Sequence, residues 1–164
     1  MPPGNGGTLI IGLGNRYRGD DAVGLVVARR LKEAAPEGVR VLEESGEGAA
    51  LMESWKGADT VILIDALHSG AKPGTVRRLD AHGQPIPTRF FHCSTHAFGV
   101  AEAIELARVL SQLPPRVIVY GIEGKSFEAG LGLSPEVEKA GQEVVKRVLE
   151  DLRHPVATEQ MLNS

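Results

Sequence analysis

Short apolar runs alternate with longer amphipathic stretches along this chain, the βαβ rhythm of a largely parallel sheet covered by helices. Residues 8–13 form the first apolar run and close on Gly14-Asn15; Val23, Val26, Val27 and Leu31 then recur at helical spacing on one face. Pro36-Glu37-Gly38 stops that helix. Residues 39–42 predict a second strand and 49–55 a short helix. Residues 61–64, Val-Ile-Leu-Ile, show no polar alternation, which is the pattern of a strand buried on both faces. Residues 75–79 predict an edge strand, because Arg77 and Arg78 cannot both be buried. Gly83, Pro85 and Pro87 mark residues 81–92 as a loop.

A third long helix is expected to begin near His96, capped by Ser94 or Thr95, with Val100, Ile104, Leu106 and Leu110 facing inward. Pro114-Pro115 ends it, and residues 117–122 form the last buried strand. Ser134-Pro135 opens a final helix, with serine at the cap and proline at the first helical position. Val137, Ala140, Val144, Val148 and Leu152 give that helix its apolar stripe. The sum is an α/β fold, a three-layer α/β/α sandwich around a mostly parallel sheet of roughly five strands. Its 164 residues fit a single domain that buries roughly two thirds of the unfolded surface, with residues 1–7 and 154–164 as flexible ends.

Composition narrows the possible partners. Hydrophobic residues make up 42%, charged residues 24%, and the net charge is -3. The chain carries no basic stripe for nucleic acid, and its apolar runs are too short to span a membrane. The single cysteine, Cys93, and the lack of a secretory signal at the start point to a cytoplasmic protein.

Asp21, Asp65 and His96 each fall where a strand ends or a helix begins. In open α/β sheets such points converge on one crevice. Two carboxylates and an imidazole meeting there form a three-ligand site for a borderline metal, with open positions left over. Plainer roles compete. Asp20 or Asp21 could cap the following helix, and Asp65 could form an Asx-turn before Ser69-Gly70. Adjacent acids point differently, so one can cap while the other faces the crevice. His68 makes an Asp-x-x-His pattern with Asp65 but reads as solvated loop, and Glu123 reads as a crevice-lining acid. His92 belongs to the upstream loop.

Gly12-Leu13-Gly14 after a strand invites a dinucleotide site, but Tyr17 stands where the third glycine is required. Asp20 and Asp21 would also repel a pyrophosphate at that helix start. Glu43 could imitate a ribose-binding acid, yet it is ordinary for an exposed strand end. Cys93 beside a helix start could be an activated nucleophile, though a buried inert cysteine is commoner.

Five stretches together resemble the hydrogenase maturation endopeptidases. They are Ile10-Ile11-Gly12-Leu13-Gly14-Asn15, Arg18-Gly19-Asp20-Asp21-Ala22-Val23-Gly24, Val61-Ile62-Leu63-Ile64-Asp65-Ala66, Ser94-Thr95-His96-Ala97-Phe98-Gly99 and Tyr120-Gly121-Ile122-Glu123. Their order and spacing match the family from residue 8 to about 150. The resemblance implies an endopeptidase that removes a C-terminal extension from the large-subunit precursor of a nickel–iron hydrogenase after nickel insertion. It also implies that Asp21, Asp65 and His96 are the catalytic and metal-engaging residues, with nickel supplied by the substrate rather than held by the enzyme. The family usually carries glutamate at the position of Asp21, so the shorter side chain here requires a closer backbone. A crevice carboxylate would act as general base while the metal polarises the scissile carbonyl or activates water. The competing classes are a non-catalytic metal-sensing chaperone of the large subunit and a small-molecule hydrolase on the same fold.

Overall fold

The apolar runs become the strands of one sheet in a computed structural model that describes residues 6–87, 96–130 and 132–153. His92, Cys93, the Ser94 or Thr95 cap, and most of the two chain ends lie outside the described residues. The elements in chain order are β1 (Thr8–Leu13), a 3-10 turn (Gly19–Ala22), α1 (Val23–Ala34), β2 (Arg40–Glu44), α2 (Gly48–Ser54), β3 (Thr60–Leu67), β4 (Val76–Asp80), α3 (Val100–Val109), β5 (Arg116–Glu123) and α4 (Pro135–Arg153). The strand order is β2-β1-β3-β5-β4. All neighbours run parallel except β4, which pairs antiparallel with β5 at one edge.

Strand periodicity divides the core into two halves. Leu9, Ile11, Leu13 and Leu63 face one side and pack with Leu51 of α2, Trp55 just after it and Ile104 of α3. Ile10, Ile62, Ile64 and Tyr120 face the other and pack with Val23, Val27, Val137 and Val144 of α1 and α4. The result is the expected three-layer sandwich. Arg77 and Arg78 are exposed on the edge strand, as their charge requires.

Two expectations for α3 need correction. The helix begins at Val100 rather than near His96, because Gly99 is its cap and the Glu102 carboxylate accepts the Gly99 N–H at 3.0 Å. Its inner face is Val100, Ala101, Ala103, Ile104 and Ala107, which leaves Leu106 and Leu110 40% and 50% exposed. The small alanines, not the large leucines, follow the face that meets the sheet.

The start of α1 lies unusually close to the strand ends. A Cβ on Gly24 would stand 2.3 Å from the Ile64 carbonyl oxygen and 2.5 Å from that of Leu13. One on Gly14, where φ is +141°, would stand 1.9 Å from the Asp21 carbonyl oxygen. Gly14, one of the two glycines that invited a dinucleotide site, therefore admits backbone against backbone.

One of Asp20 and Asp21 was expected to cap α1 while the other faces the crevice, but neither side chain caps it. Asp20 is fully buried and turns toward the β5–α4 connection instead. Its carboxylate accepts hydrogen bonds from the backbone N–H of Lys125 (2.8 Å), Ser126 (3.0 Å) and Ser134 (2.7 Å), and from the Ser134 hydroxyl (2.8 Å). Its own N–H donates to the Ser126 carbonyl at 2.8 Å. Burial alone would raise its pKa, yet these donors outweigh that and hold the carboxyl below its ordinary value.

Gly24→Ala should lower stability by roughly 3 kcal/mol, since neither facing carbonyl can retreat without disturbing the sheet. Gly132→Ala, whose Cβ would meet open space, should stay within about 0.5 kcal/mol; thermal unfolding followed by circular dichroism compares the two.

Asp20→Ala should cost at least about 3 kcal/mol, because it strands several buried donors at once. The folded-state pKa of Asp20 is depressed, so its contribution is present above the unfolded value of about 3.9 and lost as pH falls through the folded one. Unfolding curves at successively lower pH should therefore show a shallower acid limb in Asp20→Asn than in the wild type.

Candidate active site at the carboxyl ends of the strands

From β1 the chain passes to β2 on one side and later returns to β3 on the other, so the carboxyl ends of β1 and β3 flank the point where the strand order reverses. Open parallel sheets bind ligands at such points. The pairing of β1 with β3 extends to Gly12 opposite Ile64, whereas β3 continues beside β5, with Asp65 opposite Gly121 and Leu67 opposite Glu123. Asp65 is thus the first residue of β3 beyond that register. Asp21 reaches the same place from the 3-10 turn above β1.

Both carboxylates are only 7% exposed. Asp65 lies within β3 rather than at its end, because the strand runs on to Leu67. Its Oδ1 accepts the Ala66 N–H at 2.8 Å, and an Oδ2 of Asp21 accepts the Asn15 N–H at 3.1 Å. Burial, reinforced by the negative charge of Asp21, pushes the Asp65 carboxyl well above its ordinary value. Two carboxylates buried side by side are costly to ionise together. The same pair also offers two oxygens to a cation, whose charge would reverse the shift.

His96 stands on the segment leading into α3, half-buried, and its charge acts on Glu47. Glu47 caps α2: its carboxylate accepts the N–H groups of Ala49 (3.0 Å) and Ala50 (2.8 Å), which hold it below its ordinary value, with a smaller contribution from His96. The backbone keeps these two segments together, since the Gly48 N–H donates to the Phe98 carbonyl at 2.9 Å. The structure therefore brings Asp21 to Asp65 and His96 to Glu47. Among the described residues no three histidine, cysteine, aspartate or glutamate side chains are grouped closely enough to hold an ion by themselves.

The other candidates take local roles. Glu123 is buried, and its carboxylate accepts the Ser69 N–H (3.0 Å) and hydroxyl (2.5 Å), fixing the turn after β3 rather than facing the crevice freely. His68 is exposed and stacks on Phe127 with ring centroids 5.1 Å apart. Glu43 pairs with Arg29 at 3.1 Å. Glu47 and Glu44 escaped the sequence reading. Burial holds the Glu44 carboxyl above its ordinary value even though the Ser54 hydroxyl donates to it. Glutamate is not a favoured capping residue, so only the Gly48 start of α2 could have signalled Glu47.

The profile of the family described as hydrogenase maturation protease matches residues 25–151. The hydrogenase 2 maturation protease of Escherichia coli K12 is 28% identical over 149 residues, covering 88% of this chain and 90% of that protein. Among solved structures, the hydrogenase maturating endopeptidase HybD from E. coli superposes with a TM-score of 0.75 at 26% identity, covering 89% of this chain and 91% of that one. The nickel–iron hydrogenase maturation protease HycI from Thermococcus kodakarensis KOD1 does so with a TM-score of 0.66 at 27% identity, over 90% and 93% of the two chains. Fold and sequence profile agree: this chain belongs to the hydrogenase maturation protease family, a family of peptidases.

Proposed function

We propose that this protein removes a C-terminal extension from the large-subunit precursor of a nickel–iron hydrogenase once nickel has been inserted. Asp21, Asp65 and His96 engage the nickel of the substrate, which arrives already held by substrate cysteines. The observation that carries this reading is the buried pair of Asp21 and Asp65. Their mutual repulsion makes the crevice costly to ionise fully, and an incoming cation relieves that cost. Two oxygens from the pair and one nitrogen from His96 are hard and borderline donors with moderate affinity for a free ion. Affinity then comes from sharing an ion that the substrate holds, so the metal reports that insertion is complete. The shared metal polarises the scissile carbonyl or lowers the pKa of an attacking water. Asp65, whose carboxyl is held above its ordinary value until a cation offsets its burial and the Asp21 charge, would take a proton from that water as general base.

Asp65→Asn should lower processing by at least about 100-fold while leaving the fold intact, because the amide removes the base but also removes a buried charge. His96→Ala should lose activity similarly without loss of stability, since its side chain is half-buried and outside the core. Circular dichroism and the electrophoretic shift of the processed subunit measure both. Near-normal processing by either variant with native spectra would exclude that residue from the reaction.

With chelator-stripped enzyme, nickel-loaded precursor should be shortened and empty precursor left intact. Equal cleavage of both, or activity restored only by zinc added to the enzyme, would contradict the shared-metal reading.

A further inference from the structure

A cleft of about 430 Å³ opens beside the carboxylate pair, lined by Gly14, Asn15, Arg16, Tyr17, Arg29 and Glu43 among others. Its size lies within the range of ordinary ligand pockets, about 300–1,000 Å³. It begins where the active site ends, because the Asn15 backbone N–H that borders it donates to Asp21. We propose that this cleft holds the stretch of substrate peptide adjoining the scissile bond, and that Arg16 and Tyr17 recognise an acidic side chain on that stretch. The assignment rests on the peptidase reading above and deepens it.

Three observations carry it. First, Tyr17 is 67% exposed and Arg16 is exposed beside it, with the guanidinium 5.2 Å from the ring centroid. Arginine and tyrosine are the residues most often found as binding anchors, and a cation already stacked on a ring loses little freedom on binding.

Second, the turn that presents them is held from several sides. Asn15 Oδ1 accepts the Tyr17 N–H at 2.9 Å, the Asn15 carbonyl accepts the Arg18 N–H at 3.2 Å, and the Tyr17 carbonyl accepts the Gly130 N–H at 3.1 Å. A prearranged wall of this kind lowers the entropy lost when a peptide is captured.

Third, charge is distributed along one direction. On the far wall Arg29 is neutralised by Glu43, and Glu44, its carboxyl held above the ordinary value by burial, accepts the Ser54 hydroxyl, whereas among the described residues Arg16 has no acidic partner. The neighbouring crevice is acidic through Asp21 and Asp65. A segment with a metal cation at one end and a carboxylate a few residues away fits this gradient in one orientation only. A basic side chain at the Arg16 end meets repulsion, which is how specificity is set against the wrong sequence.

The test uses two blocked hexapeptides of alanine and glycine, one with a single aspartate and one with a single lysine, titrated into the ¹⁵N-labelled full chain. The aspartate peptide should shift the amides of residues 14–17, 29 and 43–45, and the lysine peptide should leave them unmoved. Arg16→Glu lies on an exposed turn and should reverse this preference, weakening the aspartate peptide by about tenfold. In precursor processing the same variant should raise KM severalfold and keep kcat within about twofold of wild type. Equal shifts from both peptides, a preference unchanged by Arg16→Glu, or an unchanged KM would overturn the assignment. Charge-dependent peptide binding by a wild type that leaves the precursor uncut would support the cleft and count against the peptidase reading alone.

Discussion

Backbone meeting backbone at Gly24 and Gly14 fixes where the chemistry of this molecule can occur. With no side chain at either position, the first turn of α1 rests on the carbonyls of Leu13 and Ile64, and the 3-10 turn rests on the end of β1. That approach carries Asp21 down to within electrostatic reach of Asp65. Aspartate is a short side chain, and a close backbone is what Asp21 needs to reach Asp65. Asp20 holds the turn from the opposite side by gathering four donors from the β5–α4 connection. Two consecutive aspartates thus divide: Asp20 is tied to the β5–α4 connection, and Asp21 faces Asp65.

The electrostatics of the crevice follow from that geometry. Burying two carboxylates together is unfavourable unless one is protonated or a cation arrives. The fold accepts this cost because β3 is held on its other flank by β5, and because Glu123, Ser69 and the Ala66 N–H organise the strand's end. Local strain of this electrostatic kind, maintained by a rigid surround, is characteristic of functional sites. In the proposed function the acid pair acts as a receptor for charge rather than as a structural element.

Much of the fold was legible in the sequence because strand and helix periodicities are local. The Val-Ile-Leu-Ile run before Asp65 and the arginine pair of β4 each announced their place in the sheet. The start of α3 was misread because Ser94 and Thr95 resemble a cap, whereas the bond between Gly99 and Glu102 decides the matter. Leu106 and Leu110 were misassigned because hydrophobicity was weighed without the shape of the facing sheet, which favours alanine. The site was partly legible: Asp21 and Asp65 meet as their positions at element ends implied. The partners of Asp20 and Glu47 were not, since they depend on contacts between segments distant in the chain or on a capping residue that propensity disfavours.

The central claim is that the substrate's metal is shared with the Asp21 and Asp65 carboxylates. The most direct measurement is the nickel K-edge X-ray absorption spectrum of the loaded precursor, rapidly frozen with and without one equivalent of enzyme. Addition of the wild type should introduce new oxygen or nitrogen scatterers at about 2.0–2.2 Å, the distances typical of such ligands, while an Asp21→Ala/Asp65→Ala variant should not. A nickel shell unchanged by the wild type, in a sample where the two proteins are shown to associate, would contradict the account.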